Sequence, residues 1–294
     1  MFLYSFFKLP YQLVKIYLKK TSNKTTVSYF IFIWIVAAFL LESSDLWISV
    51  NLYNPASYWA RLLEKYGEIP GLLVILIAIH IYIVTLKESS NIKTILFTSF
   101  LLTTASLVTI YMLWAISLAI TGNPAFFNYN EIYFFVAAII ANIFTSLLFK
   151  KHNKFSKKSI LFSRLTFKMF FYGYLVIIQP LKIFWGRIRF RDLAENYSNF
   201  TAWYIPNGIT GNQSFPSGHA AMGFILMALF IFIMDKSFFK RIFFKAIIIS
   251  YAIAVCISRI IVGAHYTSDV LFGAMIMIIS YLLIKQNINK TLKN

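Results

Sequence analysis

Residues 94–120 read TILFTSFLLTTASLVTIYMLWAISLAI, 27 positions without one charged side chain. A bilayer core about 30 Å thick is crossed by about 20 apolar residues in helical conformation, so this stretch is long enough to span a membrane and too apolar to stand in water. Working outward in both directions, similar apolar stretches fall at about 27–41, 70–86, 132–149, 160–181, 216–234, 246–262 and 269–284, which makes eight expected spans. The chain of 294 residues draws 59% of its positions from apolar and aromatic types, only 13% are charged, and the mean hydropathy is +0.71. A soluble domain carries about 25% charged residues. The expected fold is therefore an all-α polytopic bundle with little chain left for a soluble domain. The single cysteine, Cys256, excludes an intrachain disulfide and a cysteine-based zinc cluster.

The chain divides on this reading into a basic N-terminal segment (1–26), four spans (27–158) and four more (159–294). MFLYSFFKLPYQLVKIYLKK at the N-terminus mixes aromatics with four lysines and is broken by Pro10, as expected of a helix lying on an anionic membrane surface. Residues 42–70 alternate apolar and polar types and read as a loop hugging the interface. With the N-terminus inside, 19 Lys and Arg fall in cytoplasmic segments and seven in exterior ones, which also hold eight of the ten acids. The net charge of +18 is then a topology signal; it does not mark a nucleic-acid partner. Both termini are expected in the cytoplasm of a cell inner (plasma) membrane protein.

Most of the exterior cations gather in two places, with two of the four histidines beside them. Ionisable groups at a membrane edge are costly unless paired or functional, so the cluster reads as an anion site. Its first piece, Lys182-Ile-Phe-Trp-Gly-Arg187-Ile-Arg189-Phe190, puts three cations at the exterior end of a helix, where they could equally form an interfacial collar. The second, Ser214-Phe-Pro216-Ser217-Gly218-His219, opens a span: Pro suits a first helical turn, and Gly218 lets an anion approach the amides at a positive helix end. His219 there is a proton-donor candidate, or a simple cap. In the third, Ser258-Arg259-Ile-Ile-Val-Gly-Ala-His265-Tyr-Thr-Ser-Asp269, His and Asp stand four apart. If the segment is helical, the carboxylate can hold one ring nitrogen and leave the other as a nucleophile; the alternative reading is a buried pair that only pins two helices together.

Taken together the three pieces resemble the type 2 phosphatidic acid phosphatase superfamily, which includes glucose-6-phosphatase and vanadium haloperoxidases. Its pattern K-x6-R-P, P-S-G-H and S-R-x5-H-x3-D is matched by Lys182 and Arg189, by Pro216, Ser217, Gly218 and His219, and by Ser258, Arg259, His265 and Asp269. Phe190 stands where the family has proline, a departure that bears on loop geometry. The resemblance covers about residues 160–285. It implies that Lys182, Arg189 and Arg259, with Ser217 and the Gly218 amide, grip a phosphoryl group. It further implies that His265 attacks phosphorus to form a phosphohistidine, that Asp269 orients it, and that His219 protonates the leaving oxygen.

The resemblance implies no cofactor and no metal. The rival metal set, His219, His265, Asp192 and Asp269, lies among cations that repel a divalent ion. Motif residues at span ends would meet a phosphate carried on a membrane-embedded tail. The expected activity is hydrolysis of a lipid phosphate or diphosphate at the extracytoplasmic face, with undecaprenyl diphosphate first, phosphatidylglycerophosphate or phosphatidate second and lipid A third. Phosphoryl transfer to another acceptor, or a transporter or scaffold with a vestigial site, are the competing readings. His80 and His152 are expected to serve packing and solvation.

Overall fold

The computed structural model describes residues 23–86, 91–123, 125–152 and 154–291; the segment read as an interfacial helix lies outside the described residues. Among the described residues all regular structure is helical. The elements are α1 (Asn23–Leu52), α2 (Tyr58–Tyr66), α3 (Ile69–Val84), α4 (Ile92–Thr121), α5 (Ala125–Tyr129) and α6 (Glu131–His152). Then come α7 (Lys157–Lys168), a π-helical stretch (Met169–Ile178), α8 (Gln179–Trp185), α9 (Gly218–Ile225) continued by a 3-10 helix (Leu226–Ile233), α10 (Phe238–Ile261) and α11 (Thr267–Thr291).

The ends of these helices are set by local chemistry. Asn91 caps α4 by accepting from the Lys93 amide, Ser156 caps α7 by accepting from the Ser159 amide, and Gly122 ends α4 in the left-handed region. Gly186 ends α8 at φ +58°, and a Cβ there would stand 2.1 Å from the Gly208 carbonyl oxygen, so both conformation and space require glycine.

Among the described residues seven helices are long and apolar enough to cross a membrane, α2 running into α3 and α7 into α8 as continuous spans. The eighth expected span, 216–234, is the shorter helix Gly218–Ile233. Eight α-helical residues followed by eight 3-10 residues, at about 1.5 and 2.0 Å each, still reach about 28 Å. This helix is almost wholly buried and packs against α3, α10 and α11. Close approach is built in: a Cβ on Gly71 of α3 would meet the Met222 carbonyl oxygen at 2.5 Å, and one on Gly273 of α11 would meet that of Ser217 at 2.3 Å.

A single apolar core draws Ile75 and Ile79 from α3, Leu101 from α4, Leu165 from α7, Ile225 from α9 and Met277 from α11, so helices on either side of residue 158 share it. Elsewhere the helices leave large apolar side chains outward, such as Phe32, Leu40 and Ile140; lipid is the solvent in which that surface is stable. His80 is a link between helices, as expected: its ring meets Ser146 at 3.1 Å and Asn142 at 3.0 Å on α6, and Asn142 donates in turn to Thr109 of α4.

One expectation fails. Residues 42–52 are not an interfacial loop but the last three turns of α1. Ala38, Asp45 and Ser49, spaced by seven and four, form one buried helical face packed toward α11. That face is small and polar, which is why an apolar pattern does not reveal it. Residues 58–66, read into the same loop, form α2.

Candidate active site

Lys182 comes from the last turn of α8, Arg189 from the extended residues after Gly186, Gly218 and His219 from the start of α9, Arg259 from the end of α10, and His265 from the turn before α11. All six line one cavity of about 470 Å³. The lining also includes the apolar and aromatic residues Tyr111, Trp114, Ala115 and Leu118 of α4 and Ile69 of α3, and the acids Glu64 and Glu68. Spans far apart in the chain thus enclose a space lined by both cations and apolar side chains.

Arg259 is buried, and neither its Nε nor its Nη1 has a hydrogen-bond partner; Nη1 stands 3.5 Å from Glu64 Oε1 as an ion pair. A buried guanidinium with unsatisfied donors is costly, and an anion in the cavity would supply the missing acceptors. Lys182, also buried, donates to the Gln213 carbonyl at 2.9 Å. A Cβ on Gly218 would make ordinary van der Waals contact at 3.4 to 3.7 Å with Tyr174, Lys182 and Glu68, all of which line the cavity as Gly218 does.

His265 Nδ1 lies 2.6 Å from the Ser214 carbonyl oxygen. A carbonyl can only accept, so the proton is on Nδ1 and the Nε2 lone pair is left unprotonated. Burial, with the charges of Lys182 and Arg259 beside it, pushes the imidazole down to about 3, which keeps the ring neutral and nucleophilic.

Several sequence expectations are corrected in detail. His265 and Asp269 do not share a helix, because α11 begins at Thr267, and Asp269 Oδ2 stands 3.7 Å from Nδ1, beyond a hydrogen bond. Asp269 instead accepts from Ser214 Oγ at 2.5 Å, from the Tyr266 amide at 2.9 Å and from Arg187 at 2.7 Å. It therefore holds the residue whose carbonyl holds His265. Pro216 precedes the helix and does not occupy its first turn; Ser217 is the N-cap, fully buried, with its Oγ accepting from the Ala220 amide. Ser217 does not line the cavity.

Arg187 does not line the cavity. Fully buried, it donates to Asp45 at 2.9 Å, to Asp269 and to Ser268, with its guanidinium 3.9 Å from the Tyr266 ring centroid. Phe190, in the proline position, is buried among Tyr53, Tyr197 and Tyr266. Trp203 and Tyr204 tie their loop to α1 by donating to the Ala38 carbonyl and to Glu42. The metal set His219, His265, Asp192 and Asp269 is not assembled: Asp192 is exposed and Asp269 is committed to Arg187. Among the described residues no three His, Cys, Asp or Glu side chains are placed to hold an ion.

Sequence reading missed the contribution of the first four helices. Asp45 on α1, Glu64 on α2, Glu68 ahead of α3 and Tyr111 on α4 all reach the site or its support. Acids set in or beside apolar runs were the available signal.

No curated protein and no solved structure matches the chain. The model of the PAP2 superfamily matches residues 130–293, more than half the chain, beginning at the start of α6 and taking in all three motifs. With those motifs lining one cavity, the chain belongs to the PAP2 superfamily.

Proposed function

We propose that this protein is an integral-membrane phosphatase that hydrolyses a lipid phosphate or diphosphate through a phosphohistidine on His265. The observation that carries the reading is the cavity itself: Lys182, Arg189, Arg259 and Gly218 line the same space as His219 and a His265 whose Nδ1 is hydrogen-bonded to the Ser214 carbonyl. Trp114, Ala115 and Leu118 in the same lining support a substrate that brings a hydrocarbon tail with its phosphate.

In the first step the Nε2 lone pair of His265 forms the bond to phosphorus. The bond from phosphorus to the leaving oxygen breaks, and that oxygen takes a proton from His219. Developing charge on the equatorial oxygens is met by Arg259, Arg189 and Lys182. In the second step water attacks phosphorus and gives its proton to the now neutral His219, the nitrogen–phosphorus electron pair returns to His265, and phosphate leaves. Asp269, through Ser214, keeps the proton of His265 on Nδ1 throughout.

Phosphate release from a panel of detergent-solubilised lipid phosphates tests this, with undecaprenyl diphosphate first, then phosphatidylglycerophosphate, phosphatidate and lipid A, in the presence of EDTA. Wild type is expected to release phosphate, His265→Ala to lose it, and His219→Ala to keep a residual rate about 100- to 10,000-fold lower, what is left without a general acid. Full activity in His265→Ala removes the nucleophile, and loss of wild-type activity in EDTA restores a metal. The site is proposed to face the extracytoplasmic side; reporter fusions at Asn123 and Asn153 are expected on opposite sides of the membrane, with Asn123 outside.

A further inference from the structure

His219 is held at both ring nitrogens. Nδ1 lies 2.8 Å from Glu68 Oε1, and Nε2 lies 3.1 Å from the Glu64 carbonyl oxygen. The carbonyl can only accept, so Nε2 carries a proton, and a carboxylate facing Nδ1 calls for a second one there. The other oxygen of Glu68 accepts from Tyr111 Oη at 2.5 Å, which fixes the carboxylate plane. Glu68 is only 7% exposed. An isolated carboxylate so placed would be strongly disfavoured, whereas one bonded to an imidazolium and a phenol is satisfied. Glu68 and Tyr111 both lie before residue 130, outside the stretch that the PAP2 superfamily model matches.

We propose that Glu68 is a positioning residue of the reaction: braced by Tyr111, it holds His219 doubly protonated and oriented so that Nε2 delivers its proton to the leaving oxygen. The proposal rests on the phosphatase reading above. As the phosphorus–oxygen bond breaks, the leaving oxygen replaces the Glu64 carbonyl as the partner of the Nε2 proton and takes it. His219 is left neutral with Nδ1–H still donated to Glu68, and the Nε2 lone pair then receives the proton of the attacking water. Glu68 keeps its charge throughout and exchanges no proton. The three motifs supply the nucleophile, the phosphate-binding cations and the acid His219 itself, and the helices ahead of the matched region supply the carboxylate and phenol that hold that acid.

Two measurements test this separately from the parent reading. Kinetics on the lipid phosphate that wild type hydrolyses are compared for Glu68→Gln, Tyr111→Phe, His219→Ala and the Glu68→Gln/His219→Ala double variant. Glu68→Gln is expected to lower kcat about 10- to 100-fold with little change in KM, part of what a general acid contributes, and Tyr111→Phe to give a smaller loss of the same kind. In the His219→Ala background Glu68→Gln is expected to cost less than about 2-fold, because its effect passes through His219. An equal loss in both backgrounds, or a loss confined to KM, overturns the proposal.

The second measurement does not depend on turnover. The chain has four histidines, so ¹⁵N-histidine NMR in nanodiscs can assign His219 by its absence in His219→Ala. At any one pH its doubly protonated fraction is expected to be larger in wild type than in Glu68→Gln, with the other three histidines unchanged. An unaltered His219 signal in a folded Glu68→Gln protein also overturns the proposal. If wild type hydrolyses none of the panel, the phosphatase reading fails instead, and the NMR result still decides whether Glu68 sets the protonation of His219.

Discussion

The carbonyl of Ser214 takes the Nδ1 proton of His265 at 2.6 Å, while Asp269, four residues beyond the histidine, stands 3.7 Å from the same nitrogen. The carboxylate acts one bond further back, accepting from Ser214 Oγ and from Arg187. A backbone carbonyl cannot change its protonation state, so the tautomer of the proposed nucleophile does not depend on a titrating partner.

The pH behaviour of His265 follows. Its value in the folded protein, about 3, lies below the ordinary histidine value of about 6.5. The folded state therefore binds this proton less readily than the unfolded state, and the resulting stability is complete above about pH 6.5 and lost as pH falls from there toward about 3. Thermal melting in detergent between pH 7 and pH 4 is expected to show wild type losing more stability than His265→Ala. The phosphoenzyme trapped by acid quench is expected to form at pH 5 as well as at pH 7, because the nucleophile is still neutral there.

Arg187 bridges Asp45 of α1 and Asp269 of α11 with all three side chains buried. Removing one partner from a buried charge pair costs about 3–5 kcal/mol, so Arg187→Ala, Asp45→Asn and Asp269→Asn are each expected to lower the melting temperature sharply. Arg187→Lys is not expected to rescue, since an ammonium cannot span two carboxylates as the planar fork does. A normal melting temperature with a raised KM in Arg187→Ala would place Arg187 on the substrate instead.

Arg259 lines the cavity and carries two buried nitrogens, Nε and Nη1, without hydrogen-bond partners. If a phosphoryl group completes them, Arg259→Lys is expected to weaken inhibition by orthovanadate about 10- to 100-fold, the equivalent of one or two charge-assisted bonds at about 1.5 kcal/mol each. Dose–response curves on the purified enzyme measure this directly. An unchanged inhibition constant removes Arg259 from the phosphate site.

Phe190 sits where the superfamily pattern has proline, at the first position of a short 3-10 turn, after an Arg189 with φ −72° and ψ 150°. Those angles suit a residue before proline, and the amide lost at a turn's first position has no partner within the turn. Phe190→Pro is therefore expected to fit the backbone and keep turnover per folded molecule. It removes a ring packed among Tyr53, Tyr197 and Tyr266, and is expected to destabilise by up to about 3 kcal/mol, read as a lower melting temperature with little change in kcat.

How much of this was legible beforehand depends on the range over which each signal acts. The spans at 94–120 and 132–149 could be read because a hydrocarbon core demands a run of apolar residues, and a run is local. The motif residues Lys182, Arg189, Gly218, His219, Arg259 and His265 could be named because their types and spacings repeat within three short segments. Residues 42–52 were misread because α1 buries Asp45 and Ser49 rather than large apolar side chains, and a small polar face leaves no hydropathy mark.

The sequence by itself therefore determined that this chain is a membrane-spanning helical bundle and which three segments carry its chemistry. Only the tertiary structure decided who partners whom: Glu68 with His219, Ser214 with His265, Arg187 with Asp45 and Asp269. These pairs join residues 51 to 151 positions apart, two of them setting two carboxylates on one arginine, and a hydrogen bond or ion pair is a matter of a few ångströms in space. Position along the chain does not encode that distance; the packing of α3, α10 and α11 around the short buried helix α9, and of α1 on α11, does.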